Sequence, residues 1–195
     1  MKLPRRDVFQ THKPGETVAL DVTGPACELL AFFFADKPVH AFVAKHGLHA
    51  VAQEYAAYRE ERIFKLLIEI ATSYRLVSWR LPADKRAKEQ ENQVGLLCFD
   101  DDSDVPLCMH EACNKIIHAH EFALETRKIR RVPLAYIRDD TVLATGKKGR
   151  QEWVMYLWVP EFCEAALDMP LLDAIPFSGL TKRSSQPPPD DEIPF

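Results

Sequence analysis

The chain has 195 residues, 47% hydrophobic and 28% charged, which suits one ordinary domain with a short tail. Its net charge of −4 excludes a globally basic nucleic-acid binder, so any such contact must come from a local patch. The five cysteines are odd in number and lack CxxC spacing, which argues against a disulfide scaffold and predicts a reducing, cytoplasmic location. No apolar run follows Met1 to Arg6, so no signal peptide is predicted.

Residues 1–25 are predicted to form an irregular arm, because prolines and glycines recur through them. Within that arm, Thr17 to Val22 has the pattern of a short strand. A buried helix is predicted from Cys27 to Ala35, where the chain is apolar. Asp36 to Pro38 interrupts this helix, and a second short helix is predicted from Pro38 to about Gly47.

The longest predicted helix runs from Ala50 to Trp79, since apolar side chains recur there at steps of three and four residues. Residues 82–93 are charged without an apolar stripe and are predicted to form an exposed loop or a frayed helix. The acidic run from Asp100 to Asp104 then predicts a helix from Pro106 to about Glu125, because carboxylates and a first-turn proline favour a helix start.

Three short strands are predicted next, at Val132 to Ile137, Thr141 to Thr145 and Glu152 to Val159. Asp139-Asp140 and a glycine-rich turn separate them, and a short helix from Pro160 to Asp168 follows. The predicted fold class is therefore α+β and mainly helical, with a small antiparallel hairpin or meander at about 132–159.

This organisation predicts three regions. The arm at 1–25 precedes a helical domain at 26–177, and residues 178–195 form a flexible, proline-rich linker that ends in an acidic tip.

The predicted helix after Pro106 carries several side chains with chemical potential. On a helical wheel, His110, Asn114 and His118 form one polar column beside an apolar sector. That sector contains Met109, Ala112, Cys113, Ile116 and His120. One interpretation is that Asn114 and His118 are hydrogen-bonded packing residues of a bundle.

A metal site is a second interpretation of the same helix. The available ligands are spread around the wheel, which is poor for tetrahedral zinc, so no metal and no cofactor are predicted. Those ligands are Cys108, His110, Cys113, His118 and His120.

A third interpretation rests on a family resemblance. The run from Cys113 to His118 resembles the signature of HEPN domains, helical bundles that are often dimeric and that in active members cleave RNA with an arginine and a histidine. Asn114 matches the polar position of that motif and His118 its histidine, which makes them the candidate catalytic residues. Cys113 stands at the arginine position and cannot stabilise a phosphorane, which argues against ribonuclease activity. The resemblance covers roughly residues 40–170 and implies a HEPN-like bundle and a homodimer.

Two basic clusters flank the predicted strands, beside aromatic residues on which bases could stack. Alternation places Trp153, Met155 and Leu157 on one face of their strand, and Tyr156 and Trp158 on the other. The candidate nucleic-acid-binding residues are Arg127, Lys128, Arg130, Arg131, Lys147, Lys148 and Arg150.

The last residues carry the strongest functional pattern in the chain. Three carboxylates precede an apolar tripeptide, and the terminal ring would carry the chain's own carboxylate. This tip closely resembles the acidic tail of bacterial single-stranded-DNA-binding proteins, which recruits helicases, exonucleases and replication-restart proteins. The predicted partner-binding residues are Asp190, Asp191, Glu192, Ile193, Pro194 and Phe195.

The leading functional hypothesis is a non-enzymatic adaptor of bacterial or phage DNA replication, repair or recombination. Its tail would bind the partners of single-stranded-DNA-binding proteins. One alternative is a HEPN ribonuclease or toxin that pairs His118 with a non-motif arginine such as Arg59 or Arg62. Another is a single-stranded-DNA-binding protein that uses the basic hairpin around Lys147.

Overall fold

The computed structural model of the protein describes residues 22–78, 92–100, 103–128 and 135–168. Within these residues, four helices accompany one five-stranded antiparallel sheet, so the predicted α+β class is confirmed. The elements in chain order are α1 (Thr23–His46), α2 (His49–Ser78), β1 (Gln93–Phe99), β2 (Asp104–Cys108), α3 (Met109–Ile117), β3 (Glu121–Lys128), β4 (Ala135–Lys148), β5 (Gln151–Trp158) and α4 (Val159–Leu167).

The two long helices form an antiparallel hairpin with a tight connection. Gly47 ends α1 in the left-handed region at φ 68°, where a residue without Cβ is least strained. Its amide donates to the carbonyl of Ala44, and the amide of Leu48 donates to Val43 at 3.1 Å. These bonds satisfy carbonyls that the helix end leaves open, so the chain turns within two residues.

The sheet has the strand order β2-β1-β5-β4-β3, which places β2 and β3 at its edges. Pro106 lies in edge strand β2, which has a neighbouring strand on one side only. Proline is tolerated at such an edge because its missing N–H costs no hydrogen bond on the side without a partner strand. Gly95 lies in central strand β1, and a Cβ there would come within 2.1 Å of the Tyr156 carbonyl oxygen. Only glycine therefore allows β1 and β5 to approach this closely.

The helices cover one face of the sheet and bury the core against it. Leu97, Val142, Met155 and Leu157 point into this core from the strands. The opposite face carries half-buried or exposed side chains, including Leu96, Leu143, Tyr156 and Trp158. The prediction that Trp153 and Tyr156 lie on opposite faces of their strand is confirmed, because Trp153 is buried and Tyr156 is exposed.

Two of the predicted helices are confirmed within the described residues. The helix predicted at Ala50 is α2, and the helix predicted at Pro160 is α4. The predicted interruption at Asp36 to Pro38 is wrong, because α1 is continuous and contains Pro38. Asp36 is buried and bonded in that helix, so tertiary contacts hold the turn that the local sequence disfavours.

The single helix predicted from Pro106 to Glu125 is also wrong. This segment contains β2, the nine-residue α3 and most of β3. In β3, Phe122 and Leu124 are half-buried while Glu121, Ala123 and Glu125 are exposed, which is the two-residue period of a strand. Because many residues of this segment favour helices, the sequence predicted a helix in place of this strand.

The sheet is larger than predicted. β1 begins at Gln93, inside the segment 82–93 that was predicted to be a loop. The two strands predicted on either side of Asp139-Asp140 form the single strand β4. Its pairing with β3 shifts between Ile137 and Val142, so the two aspartates lie at a bulge instead of a turn. The predicted N-terminal arm and C-terminal tail lie outside the described residues, apart from Val22 to Pro25.

One stack of side chains joins α3 to the sheet. The indole ring of Trp153 lies on Gly146, where a Cβ would come within 2.1 Å of the ring. The ammonium of Lys115 lies 4.7 Å from the centre of the same ring and 3.3 Å from a carboxylate oxygen of Glu111. Lys115 is 6% exposed, so its charge is held by a cation–π contact and an ion pair together.

We therefore expect Gly146→Ala to destabilise the fold by about 1–3 kcal/mol, the usual cost of overpacking, because the new methyl group must displace the Trp153 ring. Urea unfolding followed by circular dichroism measures this. Gly24→Ala is the control, since nothing lies within 4 Å of the added methyl group. Equal stability of the two variants would contradict the role given to the Gly146–Trp153 contact.

Candidate functional site at the buried charge cluster

The candidate catalytic residues Asn114 and His118 lie at the end of α3. The apolar sector predicted from the helical wheel is confirmed for four residues, Met109, Ala112, Cys113 and Ile116, which are all buried. α3 ends at Ile117, so His118 is its exposed C-cap and donates its amide to the carbonyl of Asn114 at 3.1 Å. The Asn114 side chain donates to Glu111 at 3.3 Å.

His120, predicted on the apolar sector, is exposed beyond the helix end, and its amide donates to the Thr145 carbonyl at 2.8 Å. The prediction that it shares the buried face is wrong because α3 stops three residues earlier. Among the described residues, no three histidine, cysteine or carboxylate side chains converge as metal ligands.

The predicted nucleic-acid-binding residues do not converge on one patch. Arg127 and Lys128 end β3, whereas Lys147 and Lys148 end β4, and these strands run antiparallel. At about 3.3 Å per residue, roughly 30 Å of sheet separates the two pairs. Arg150 lies in the turn after Lys148, and the predicted residues Arg130 and Arg131 lie outside the described part of the chain.

The outer face of the sheet also carries opposing charge. Lys147 pairs across the strands with Glu152 at 2.6 Å, and hydrogen bonding to that carboxylate raises the pKa of Lys147. Glu121 and Asp104 lie on the same face by strand alternation. The outer face therefore carries both signs of charge instead of a basic track, and Tyr156, which is 38% exposed, lies between Leu96 and Leu143 of the neighbouring strands.

A densely hydrogen-bonded carboxylate lies at Asp36, a position where the sequence predicted a break between two helices. Asp36 of α1 is fully buried, and both of its carboxylate oxygens lie 2.7 Å from Nη1 of Arg59 on α2. The backbone amide of Ile137 on β4 donates to the same carboxylate at 2.6 Å. Three elements therefore converge on one carboxylate.

His40 and Tyr55 complete this cluster. The Nδ1 of His40 lies 2.9 Å from the backbone carbonyl of Asp36, and its ring meets that of Tyr55 edge-on at 5.6 Å. His40 is fully buried, and its Nε2 has no hydrogen-bond partner among the described residues. Burial, followed by the negative charge of Asp36, raises the pKa of the Tyr55 hydroxyl.

This cluster is built to hold charge away from water. An isolated buried carboxylate costs several kcal/mol, and the pair with Arg59 offsets that cost only because further donors saturate the oxygens. Ile137 also borders a surface depression of about 340 Å³, whose walls include Phe33, Phe34 and Asp140. The cluster thus supports one wall of the depression and is not itself open to a substrate.

A sequence signal for the cluster exists. Asp36 and His40 interrupt an otherwise apolar run at a spacing of four residues, which puts them on one face of a helix. Charged residues in apolar surroundings need a partner, and Arg59 stands between apolar positions of the next helix in the same way.

Both arginines considered as replacements for the missing motif arginine bind carboxylates of α1. Arg59 binds Asp36, and Arg62 binds Glu28 through two hydrogen bonds of 2.8 and 2.6 Å. The hydrogen bond from Arg62 lowers the pKa of Glu28. These guanidinium groups therefore join the two long helices.

None of the described helices combines the length and apolarity that crossing a bilayer requires. Comparison of the chain with family models, curated proteins and solved structures found no match.

We expect Asp36→Asn to destabilise the fold by about 3–5 kcal/mol, because it leaves the Arg59 guanidinium buried without a counter-charge. The amide oxygen of asparagine can still accept from Ile137. Arg59→Met should cost a similar amount, and the double variant should cost less than the sum of the two. Denaturant unfolding of all four proteins measures the coupling.

The matched control is Arg62→Met, three residues along the same helix. Its ion pair with Glu28 is only about two-thirds shielded, with side-chain exposures of 31% and 38%. A partly exposed pair contributes about 1 kcal/mol or less. Equal losses for Arg59→Met and Arg62→Met would contradict the special role of the buried pair.

The cysteines should differ in reactivity. Hydrogen bonding to Asp104, followed by burial, raises the pKa of the Cys98 thiol to about 11, and burial raises that of Cys163 to about 12. Because the thiolate is the reactive form, exposed Cys27 should be alkylated before either at pH 8. Asp104→Asn should lower the Cys98 pKa and speed its labelling, measured by mass spectrometry, while Cys163 labelling stays unchanged.

Proposed function

We propose that this protein is a non-enzymatic adaptor of bacterial or phage DNA replication, repair or recombination, acting in the cytoplasm. Its segment Asp190 to Phe195 binds proteins that recognise the tail of single-stranded-DNA-binding proteins. The observation that carries this proposal is the sequence of that segment, which lies outside the described residues. Three carboxylates followed by Ile-Pro-Phe supply both charge and an apolar anchor.

Each part of the segment has a separate role in recognition. The phenyl ring of Phe195 enters an apolar pocket, and in a peptide that ends at this residue the free carboxylate is bound by an arginine or by backbone amides. Asp190, Asp191 and Glu192 pair with basic residues around that pocket, which strengthens binding at low salt. Three prolines from Pro187 precede the segment, and consecutive prolines in general favour an extended backbone.

The geometry of the body supports an adaptor over the ribonuclease alternative. Arg59 and Arg62 are bound by carboxylates of α1, so neither guanidinium is available to a phosphate at His118 without losing an ion pair. His118 itself is exposed at the end of a nine-residue helix. A basic track for nucleic acid has no support either, because Lys147 is paired with Glu152.

A HEPN-like relationship of the helical part is the finer part of this proposal. The hairpin of α1 and α2, with α3 packed on α2, supports it. In this arrangement α3 presents Asn114 and His118 as a degenerate form of the motif. The five-stranded sheet is then an addition to the helical scaffold.

Deletion of Phe195 should weaken binding to a tail-recognising exonuclease or helicase at least about 30-fold, since losing an aromatic anchor costs about 2 kcal/mol or more. Isothermal titration calorimetry with the full-length chain measures the change. A peptide of residues 187–195 should compete for the same partner, and residues appended after Phe195 should abolish competition.

A second Ile-Pro-Phe at Ile175 to Phe177 offers a matched control within the same chain. Phe177→Ala should leave the dissociation constant unchanged, because that tripeptide lacks the acidic run before it. If deletion of Phe195 has no more effect than Phe177→Ala, the proposed function is wrong.

A further inference from the structure

Helix α1 is apolar on the side that faces away from the protein. Its inner side buries Ala26, Leu29 and Val43 against α2 and the sheet. The opposite side is exposed, and its residues recur at steps of three and four positions, so they form one continuous strip. We define the outer face of α1 as Cys27, Ala31, Phe34, Ala35, Pro38 and Phe42, all of which are exposed. Phe34 lies at the margin of this face, where it also lines the depression beside Ile137.

This face differs from the other exposed helical surface. The rings of Phe34 and Phe42 are 70% and 59% exposed, and none of the six residues of the face carries a charge. On α2, exposed Tyr58 and Ile68 are instead separated by charged residues such as Glu61 and Lys65. Lys45 is exposed at the C-terminal end of this face, and the rest of the face is apolar. A contiguous exposed apolar strip of this kind normally marks a contact with another surface.

We propose that the outer face of α1 binds the same face of a second copy of this chain, with the two helices antiparallel. The face is self-complementary because its large rings alternate with small residues. In an antiparallel pair centred near residue 36, Phe34 lies against Pro38 of the second copy, and Phe42 lies against Ala31. Each ring then meets a smaller side chain, and the two-fold axis repeats both contacts.

Charge favours the antiparallel over the parallel arrangement. The last turn of α1 carries Lys45 and His46, whereas its first turn, at the positive end of the helix dipole, carries no charged side chain. A parallel pair would place each Lys45 beside the other and align the two helix dipoles. The antiparallel pair separates the two lysines and places each of them near the first turns of the second helix.

The available area suits a weak dimer. At 1.5 Å per residue, the 24 residues of α1 span about 36 Å. A strip of that length and about 10 Å width presents on the order of 400 Å² from each copy, below the roughly 800 Å² of a standard interface. We therefore expect a dissociation constant in the micromolar range, with dimer content that rises with concentration.

A dimer of this kind presents two copies of the acidic tip, which raises avidity for any partner that has two pockets. The interface does not depend on the tip. Loss of tip binding would overturn the proposed function and leave the dimer intact, while a monomeric chain that still binds through Phe195 would overturn only the dimer.

Sedimentation equilibrium of the full chain from about 1 µM to about 1 mM tests the proposal, since the expected affinity lies inside that range. Phe34→Asp and Phe42→Asp should each weaken the dimer at least about 30-fold, as expected for an aromatic anchor. Leu76→Asp is the control, because Leu76 on α2 is 59% exposed, like Phe42, and lies off the face. It should leave the dimer unchanged.

Cross-linking tests the orientation. The antiparallel pair places Cys27 of one copy next to Lys45 of the other, so Lys45→Cys should be joined into dimers by a short bismaleimide. Adding Cys27→Ser to that variant should abolish the product. Cross-linking of the unchanged chain through Cys27 alone would show parallel helices and overturn the proposed arrangement.

Thermal unfolding of each variant separates loss of the interface from loss of the fold. If an aspartate variant is destabilised, Ala35→Glu replaces it, since glutamate is a good helix former and Ala35 is exposed. A monomer at every concentration, or a dimer unaffected by Ala35→Glu and Phe34→Asp, would overturn the proposal.

Discussion

The contact between Asp36 and Arg59 is the constraint on which the described fold depends. It joins residues 23 positions apart on α1 and α2, and the same carboxylate accepts a hydrogen bond from Ile137, 101 positions from Asp36. Each charge alone would be unstable in this interior. The hairpin and the sheet must therefore be docked together before either charged group is satisfied, which disfavours alternative packings of an apolar helix such as α1.

That requirement also explains which parts of the fold could be predicted. α2 was predictable because its apolar period is a local property of some thirty residues. The segment of β3 was not, because Leu124 and Ala123 favour helix in isolation and form a strand only when β4 pairs with them. Likewise, Asp36 and Pro38 are locally unfavourable for a helix, and Arg59 reverses the outcome from a distance.

The candidate site follows the same division. The buried and exposed sides of α3 were predictable from spacing alone, but its early end at Ile117 moved His120 off the buried face. The two basic clusters follow neighbouring strands in the sequence, but they lie far apart in space. The antiparallel pairing of β3 with β4 places the ends of these strands at opposite ends of the sheet. The pair of Lys147 with Glu152 depends on the register of the hairpin between β4 and β5, which the turn at Gly149 and Arg150 sets, so it was visible only in the structure.

The hairpin has two separate apolar clusters, and the charge cluster lies between them. The main core includes Leu29 and Ile63, while a small second cluster of Val43 and Ala52, with Val39, occupies the end near Gly47. So small a cluster contributes little resistance to opening. Amide hydrogens near Gly47 should therefore exchange with solvent by local fraying, and those of α2 beyond Ile63 only by global unfolding. The end of the hairpin is in this sense a separate cooperative unit, which can rearrange while the sheet stays intact.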